Sequence, residues 1–186
     1  MIADYLAVAC RCLIAVVFGV SLIGKLRGRA AFAEFGRATR RMLSAVPPWR
    51  AVSHATAARV AYVVAGAEAF VAVSLVVPST VVPEAAGAGL VVAAGLLIAF
   101  SAGIAMVLRA GVRTPCRCFG SSSAPVGRPH LVRNAVLLGA AITGLLAGPG
   151  NAGPLHAAGV AIAATVAVVI AVLVIRLDDL VEVFAG

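Results

Sequence analysis

Long apolar stretches, almost free of charged residues, occupy most of this 186-residue chain. About 20 consecutive apolar residues form a helix that crosses the hydrocarbon core of a bilayer, which is about 30 Å thick. Five stretches reach or approach that length, at residues 5–24, 60–77, 85–108, 131–147 and 157–175. The last two belong to one apolar segment that the Pro- and Gly-rich residues 148–154 divide. Residues 1–24 lack a basic start and a cleavage motif, so we expect them to be a retained first helix.

The amino-acid composition is that of a chain surrounded by lipid rather than water. Hydrophobic residues make up 62% of the chain and charged residues 12%, whereas soluble domains have about 45–50% and about 25%. The apolar runs lack the alternation of a transmembrane strand, and helices satisfy their own backbone groups in lipid. The sequence therefore predicts an all-α, polytopic membrane helix bundle of about five transmembrane helices, a four-helix core plus one, forming a single integral membrane domain over residues 1–186.

Small residues recur in the apolar runs, as in Gly87-Ala-Gly89 and in residues 140–144. They let helices approach closely and predict tight packing. Biased amino-acid usage would give the same pattern.

Basic residues are concentrated in two loops, at residues 25–59 and 109–130. The net charge of +8 would suggest nucleic acid in a soluble protein, but in a membrane protein it marks loops that set orientation and meet anionic lipid. Both loops lie on one side of a five-helix bundle. That side carries all lysines and arginines except Arg11 and Arg176, so the positive-inside rule predicts that both loops are cytoplasmic and the N-terminus is outside.

The first loop is predicted to be a basic amphipathic interfacial segment. Its apolar residues recur at roughly helical spacing among arginines. They are Phe32, Phe35, Met42, Leu43 and Val46.

The second loop holds the pair Cys116-Arg-Cys118. The thiolate is the reactive form of cysteine, and Arg113 and Arg117 are placed to stabilise its charge. A disulfide across one intervening residue closes a small, strained ring, and strained disulfides exchange readily. The pair is therefore predicted to exchange electrons or a disulfide; the alternative is two inert small hydrophobic residues.

Cys10 and Cys12 repeat this spacing inside the first helix. Residues i and i+2 on a helix point about 200° apart, so the two thiols are not expected to bond to each other. Helix rise places them about 20 Å from Cys116. We therefore expect them to pack, although a second thiol pair is the alternative.

Glu68 interrupts the second apolar run about nine residues from its start. A carboxylate near the bilayer centre costs about 2.5–3.5 kcal/mol, so we expect it to be protonated or paired, with Arg11 or Lys25 as the candidate partner. The functional interpretations of Glu68 are a proton relay or a partner for a quinone headgroup, and the alternative is a hydrogen bond that serves packing. For Lys25 itself, spacing favours a side chain that snorkels to the interface.

Two histidines, His54 and His130, are predicted on the same side as Cys116. Either could act as a base for a thiol, but ordinary loop histidines are the expected interpretation.

Three features together resemble a known family. They are Ser21-Leu-Ile-Gly-Lys-Leu26 followed by Ala31-Phe32, then Glu68 within the second helix, and finally Cys116-Arg-Cys-Phe-Gly120 followed by Arg133-Asn134. The chain resembles the MauE family of methylamine-utilisation membrane proteins, grouped with DoxX-like redox-associated membrane proteins. The likeness runs from residue 5 to about residue 147, and the Cys-x-Cys-Phe-Gly element is its most specific part.

The resemblance implies an accessory role in thiol–disulfide chemistry with a thioredoxin-like partner, in the maturation of exported proteins that contain disulfides. A further, architectural likeness to vitamin K epoxide reductase-like proteins implies a membrane quinone as electron carrier. Cys116 and Cys118 would then be the catalytic residues; Cys10 and Cys12 match no part of the pattern. The supporting residues among the matching motifs are Glu68, Lys25, Arg117, Phe119, Gly120 and Arg133. His130 joins them as the candidate base for a thiol.

Disulfide chemistry belongs outside the cytoplasm of a bacterial-type cell. The resemblance therefore implies an orientation opposite to the one that the charge distribution predicts, and the side of the Cys116 loop stays open at this point.

Two other classes of function remain. Four soft thiolates in two pairs could handle Cu(I), although no metal centre is predicted. A non-catalytic membrane scaffold subunit would tolerate loss of the cysteines, so enzymatic activity is an open question.

Overall fold

Six α-helices make up the computed structural model of this protein, which describes residues 2–45, 52–77, 82, 84–111, 127–148 and 155–177. The helices are α1 (Ile2–Leu26), α2 (Arg29–Ser44), α3 (His54–Val76), α4 (Ala85–Arg109), α5 (Arg128–Ala147) and α6 (Ala157–Ile175).

Five of these helices, all except α2, are long and apolar enough to cross a membrane. The predicted all-α bundle of five membrane helices is therefore confirmed. The predicted and observed bounds agree completely for α6 and to within one residue for α4.

The starts of α3 and α5 differ from prediction because polar caps extend both helices beyond their apolar runs. α3 begins at His54 rather than residue 60, since the Ser53 hydroxyl accepts a hydrogen bond from the Thr56 N–H. α5 begins at Arg128 rather than residue 131, with Pro129 in its first turn. The His130 ring accepts a hydrogen bond from the Gly127 N–H there.

The four helices α1, α3, α4 and α5 form a ring in which each packs along its two neighbours. α6 packs on the outside against α1, and of its side chains only Ala167 and Ala171 are buried. This is the predicted four-helix core plus one. The centre of the core is filled by large apolar side chains that are almost completely buried, namely Ile14, Phe18, Leu90, Leu97, Ile104 and Leu137.

Close helix contacts are found at two of the glycines in the small-residue segments. A Cβ atom at Gly144 would lie 3.2 Å from the Cys10 Cβ atom, and one at Gly89 would collide with the Ser74 hydroxyl. A Cβ at Gly87 would meet nothing within 4 Å. The prediction of tight packing is thus confirmed at Gly89 and Gly144 but not at Gly87.

The short helix α2 lies within the predicted basic segment, residues 25–59. It contacts α1, α3 and α4. Phe35 and Ala38 are buried, and Met42 packs against the core. The predicted apolar residue Val46 lies outside the described residues.

Candidate functional site

A buried ion pair joins α1 to α3. The Lys25 Nζ atom lies 2.8 Å from both Oε1 and Oε2 of Glu68. The ammonium also donates to the Ser21 hydroxyl at 2.6 Å, and that hydroxyl donates to Glu68 Oε1 at 3.3 Å. Glu68 has no exposed surface, and Ser21 and Lys25 are 2% and 4% exposed.

The two helices bring this cluster together by simple geometry. Ser21 and Lys25 are four residues apart and therefore share one face of α1. A helical side chain leans toward the N-terminus of its own helix, so the Lys25 stem runs back along α1 to the level of Ser21. Glu68 approaches from α3, which packs along that face.

Helix α2 covers the ion pair. The Lys25 Nζ atom lies 4.9 Å from the centroid of the Phe35 ring, a distance at which an aromatic face attracts a cation. Phe35 packs in turn beside Phe32, with 6.2 Å between ring centroids. Phe32 lies beside Tyr62 of α3, with 4.7 Å between centroids and the two rings tilted by 42°. Of these rings, the one that covers the ammonium is that of Phe35.

The snorkelling prediction for Lys25 is wrong. A lysine turns to the interface when its charge has no partner inside. Here a carboxylate and a hydroxyl surround the ammonium, so its charge is compensated within the bundle. The alternative that Glu68 is paired is confirmed, with Lys25 as partner rather than Arg11.

The burial of Glu68 also bears on the predicted quinone contact. A carboxylate without exposed surface cannot touch a headgroup in the bilayer while α2 keeps this position. The observed ion pair is suited to fixing α1 against α3, with α2 packed over it.

A second buried polar group lies in the first turns of α5. His130, Arg133 and Asn134 are each at most 3% exposed. Asn134 Nδ2 donates to the Ser101 hydroxyl of α4 at 3.3 Å, and that hydroxyl donates to the Leu97 carbonyl at 2.7 Å. His130 and Arg133, two of the predicted supporting residues, thus both lie buried near the start of α5.

The two histidines differ from expectation in their setting. His130 is a buried residue of the first turn of α5 rather than a loop residue, and its ring caps the helix through Gly127. His54 is the first residue of α3, is exposed, and contacts the Arg40 guanidinium.

The predicted thiol element itself, Cys116, Arg117, Cys118, Phe119 and Gly120, lies outside the described residues. Its role stays a prediction.

Cys10 and Cys12 carry free thiols, and Cys10 is buried. The expectation that they do not bond to each other is therefore confirmed. Cys10 packs against Gly144, which lies 16 residues, or about 24 Å of helix rise, from the start of α5. This position favours the packing interpretation.

Sequence reasoning missed Ser21 and Phe35 as parts of the cluster. The spacing of Ser21 and Lys25 is a usable signal for the first, whereas only the packing of α2 identifies the second. Within the described residues, no group of three or more His, Cys, Asp or Glu side chains could hold a metal ion.

The five apolar spans and the ion pair sealed within them define an integral, multi-pass membrane protein. A family model described as methylamine utilisation protein MauE matches residues 3–147, and the chain belongs to this family. No curated protein and no solved structure matches it. The matched region comprises α1 to α5 with the Cys116 segment, and it excludes α6.

Proposed function

We propose that this protein is a membrane thiol–disulfide exchange protein of the methylamine-utilisation type, which acts on a thioredoxin-like partner. The observation that carries the proposal is the extent of the family match. Residues 3–147 include Cys116-Arg-Cys-Phe-Gly120, the most specific element of the sequence.

The exchange would follow ordinary thiol chemistry. A thiolate of the reduced Cys116–Cys118 pair attacks a disulfide sulfur of the partner and forms a mixed disulfide. The second thiolate then attacks the pair's sulfur in that bond, which oxidises the pair to a disulfide and leaves the partner as a dithiol. Two electrons pass to the partner, and the reverse sequence oxidises it.

The bundle supports this role by holding the ends of the cysteine segment. That segment lies in the sequence between α4, which ends at Arg109, and α5, which begins at Arg128. These two helices pack along each other. Asn134 and Ser101 connect them by a hydrogen bond near that end. A reactive pair on a rigid frame is easier to position for a partner than one on a free tail.

A repeated cycle needs a second couple to restore the cysteine pair. When the pair has oxidised its partner and is left as a dithiol, a membrane quinone would take up its two electrons and two protons and so restore the disulfide. When the pair has reduced its partner, a two-electron donor such as a quinol would have to return it to the dithiol. The quinone would have to bind elsewhere than at Glu68, since that carboxylate is buried beneath Lys25 and α2.

The test is a redox titration of the thiols with a mass-tagged maleimide in detergent-solubilised protein. We expect two thiols to become protected together under oxidising conditions and to be released by dithiothreitol. Cys116→Ser or Cys118→Ser should each abolish this protection. The double variant Cys10→Ser/Cys12→Ser is the matched control, since it removes the other Cys-Arg-Cys pair, and it should keep the transition.

The partner is tested with the same single variants. Each leaves one attacking thiol without its resolving neighbour, so a mixed disulfide with an added thioredoxin-like protein should accumulate. If Cys116 and Cys118 alkylate equally at every potential, or if their loss has no effect on maturation of exported disulfide proteins, the exchange role is wrong and a scaffold role takes its place.

A further inference from the structure

An open groove lies between α2 and the first turns of α3, on the outer side of the helix that covers the ion pair. It has a volume of about 690 Å³, which is within the range of about 300–1,000 Å³ typical of ligand sites. We infer that this groove binds one anionic phospholipid, with its phosphate between the arginines of α2 and His54, and with an acyl chain along the aromatic side chains.

The charge of the groove favours an anion. Arg29, Arg37 and Arg40 line it, and none of the described lining residues is acidic. The Arg40 guanidinium lies against the His54 ring, with Nη1 3.2 Å from Nδ1. Arginine is always charged and only donates hydrogen bonds. A phosphate group at this place would accept from several donors and offset the repulsion among the guanidinium groups.

The apolar part of the groove favours a lipid over a free anion. Phe32 and Tyr62 form an aromatic wall, and Tyr62 is 66% exposed at the mouth of the groove. Small residues, including Gly36 and Ala58, leave space in the groove. A Cβ atom at Gly36 would meet nothing within 4 Å. A soluble phosphate would use only the basic half of such a site.

The groove is also at a suitable depth. The 22 residue steps from His54 to Val76 give α3 a rise of about 33 Å, close to the hydrocarbon thickness of about 30 Å. His54 therefore lies near the membrane boundary. Arginine clusters at such a boundary attract anionic headgroups.

Two variants test the two halves of the site. Gly36→Leu fills the groove and removes no charge, and leucine is a better helix former than glycine, so α2 should still fold. Its control is Gly95→Leu, at an exposed glycine of α4 that also has open space around it. The double variant Arg37→Gln/Arg40→Gln removes the headgroup contacts. Its control is Arg27→Gln/Arg41→Gln, which removes two exposed charges that do not line the groove.

The measurement is native mass spectrometry of the full chain in detergent, titrated with phosphatidylglycerol or with phosphatidylcholine. We expect one phosphatidylglycerol to bind at least about tenfold more tightly than phosphatidylcholine, a difference of about 1.4 kcal/mol. Gly36→Leu and Arg37→Gln/Arg40→Gln should each abolish that preference, and both controls should retain it.

Three results would overturn the inference. One is equal affinity for the two lipids, and another is unchanged binding in Gly36→Leu. The third is displacement of the lipid by millimolar inorganic phosphate, which would indicate a site for a free anion. None of these readouts depends on the cysteines, so failure here is distinguishable from failure of the thiol-exchange proposal.

Discussion

Lys25 and Glu68, which are 43 positions apart in the chain, form a doubly hydrogen-bonded ion pair with 2.8 Å from the ammonium nitrogen to each carboxylate oxygen. Lys25 is also the single lysine among the 15 lysines and arginines of the chain. An ammonium is a compact point charge, whereas a guanidinium is a wide planar fork. The contacts of one nitrogen atom with the Ser21 hydroxyl, both Glu68 oxygens and the Phe35 ring suit the former.

Removing either partner of this pair should destabilise the bundle far more than removing both. A buried charge left without its partner costs about 3–5 kcal/mol, whereas replacing the whole pair by apolar groups is often nearly neutral. We therefore expect Lys25→Met and Glu68→Met each to lower the free energy of unfolding by about that amount. The double variant should recover most of the loss.

Unfolding by SDS titration of detergent-solubilised protein measures these free energies. Ser21→Ala serves as a graded comparison, since it removes hydrogen bonds but no charge and should cost about 1 kcal/mol. Strictly additive losses in the double variant would show that the two side chains are not coupled.

The Phe35 cover predicts that Lys25 is protected from chemical modification. Because it is the single lysine, a water-soluble amine reagent can react only with Lys25 and the N-terminal amine, which acts as an internal standard. Phe35→Ala should lower the stability of the covered state by about 3 kcal/mol. This corresponds to an increase of about 100-fold in the labelling of Lys25.

Peptide mass spectrometry after timed labelling gives both rates. Phe32→Ala is the matched control, since Phe32 packs on Tyr62 and the ring over the ammonium is that of Phe35. Labelling of Lys25 as fast as the N-terminal amine in the unaltered protein would contradict the sealed site.

The fold was predictable because membrane helices are determined largely by local composition. An apolar run of sufficient length must satisfy its backbone as a helix wherever it lies in the bilayer. That is why α6 and α4 match their predicted bounds so closely. The start of α3 was not predictable from hydropathy, since a hydroxyl cap at Ser53 extends the helix through polar residues.

The candidate site was predictable only in part. Glu68 stands out because one carboxylate interrupts an apolar run. Whether Lys25 is buried in an ion pair or extends to the interface, in contrast, depends on whether a partner is close in space. A sequence pattern carries little information about the distance between two residues on different helices. The role of Phe35 depends on how α2 folds over the bundle, which is tertiary packing.

The contact between α3 and α4 at Gly89 should be sensitive to a single methyl group. Gly89→Ala would place its Cβ on the Ser74 hydroxyl and 3.1 Å from Leu75 Cδ2. The Ser74 hydroxyl is hydrogen-bonded to the Val71 carbonyl, so moving it has a further cost. Overpacking of this kind costs about 1–3 kcal/mol.

The control for Gly89→Ala is Gly87→Ala, two residues away on the same helix and in open space. Alanine is intrinsically the better helix former by about 1 kcal/mol, so this variant should be neutral or slightly stabilising. Thermal denaturation in detergent distinguishes the two. Equal stability of both variants would contradict the close helix approach.

The topology of the bundle predicts which chain segments share a side of the membrane. With five spans, α2 and the end of α4 emerge together, and the start of α6 emerges opposite. In a chain whose four cysteines are changed to serine, Arg41→Cys and Ala110→Cys should give the same result with an impermeant maleimide on intact cells, either both labelled or both unlabelled. Ala157→Cys should give the other result.

The arginine-rich segments predict that the first two positions are cytoplasmic and therefore unlabelled. Labelling of those two from outside would instead place the Cys116 segment in the oxidising compartment, where disulfide exchange is favoured. Identical labelling of all three positions would contradict the five-span bundle.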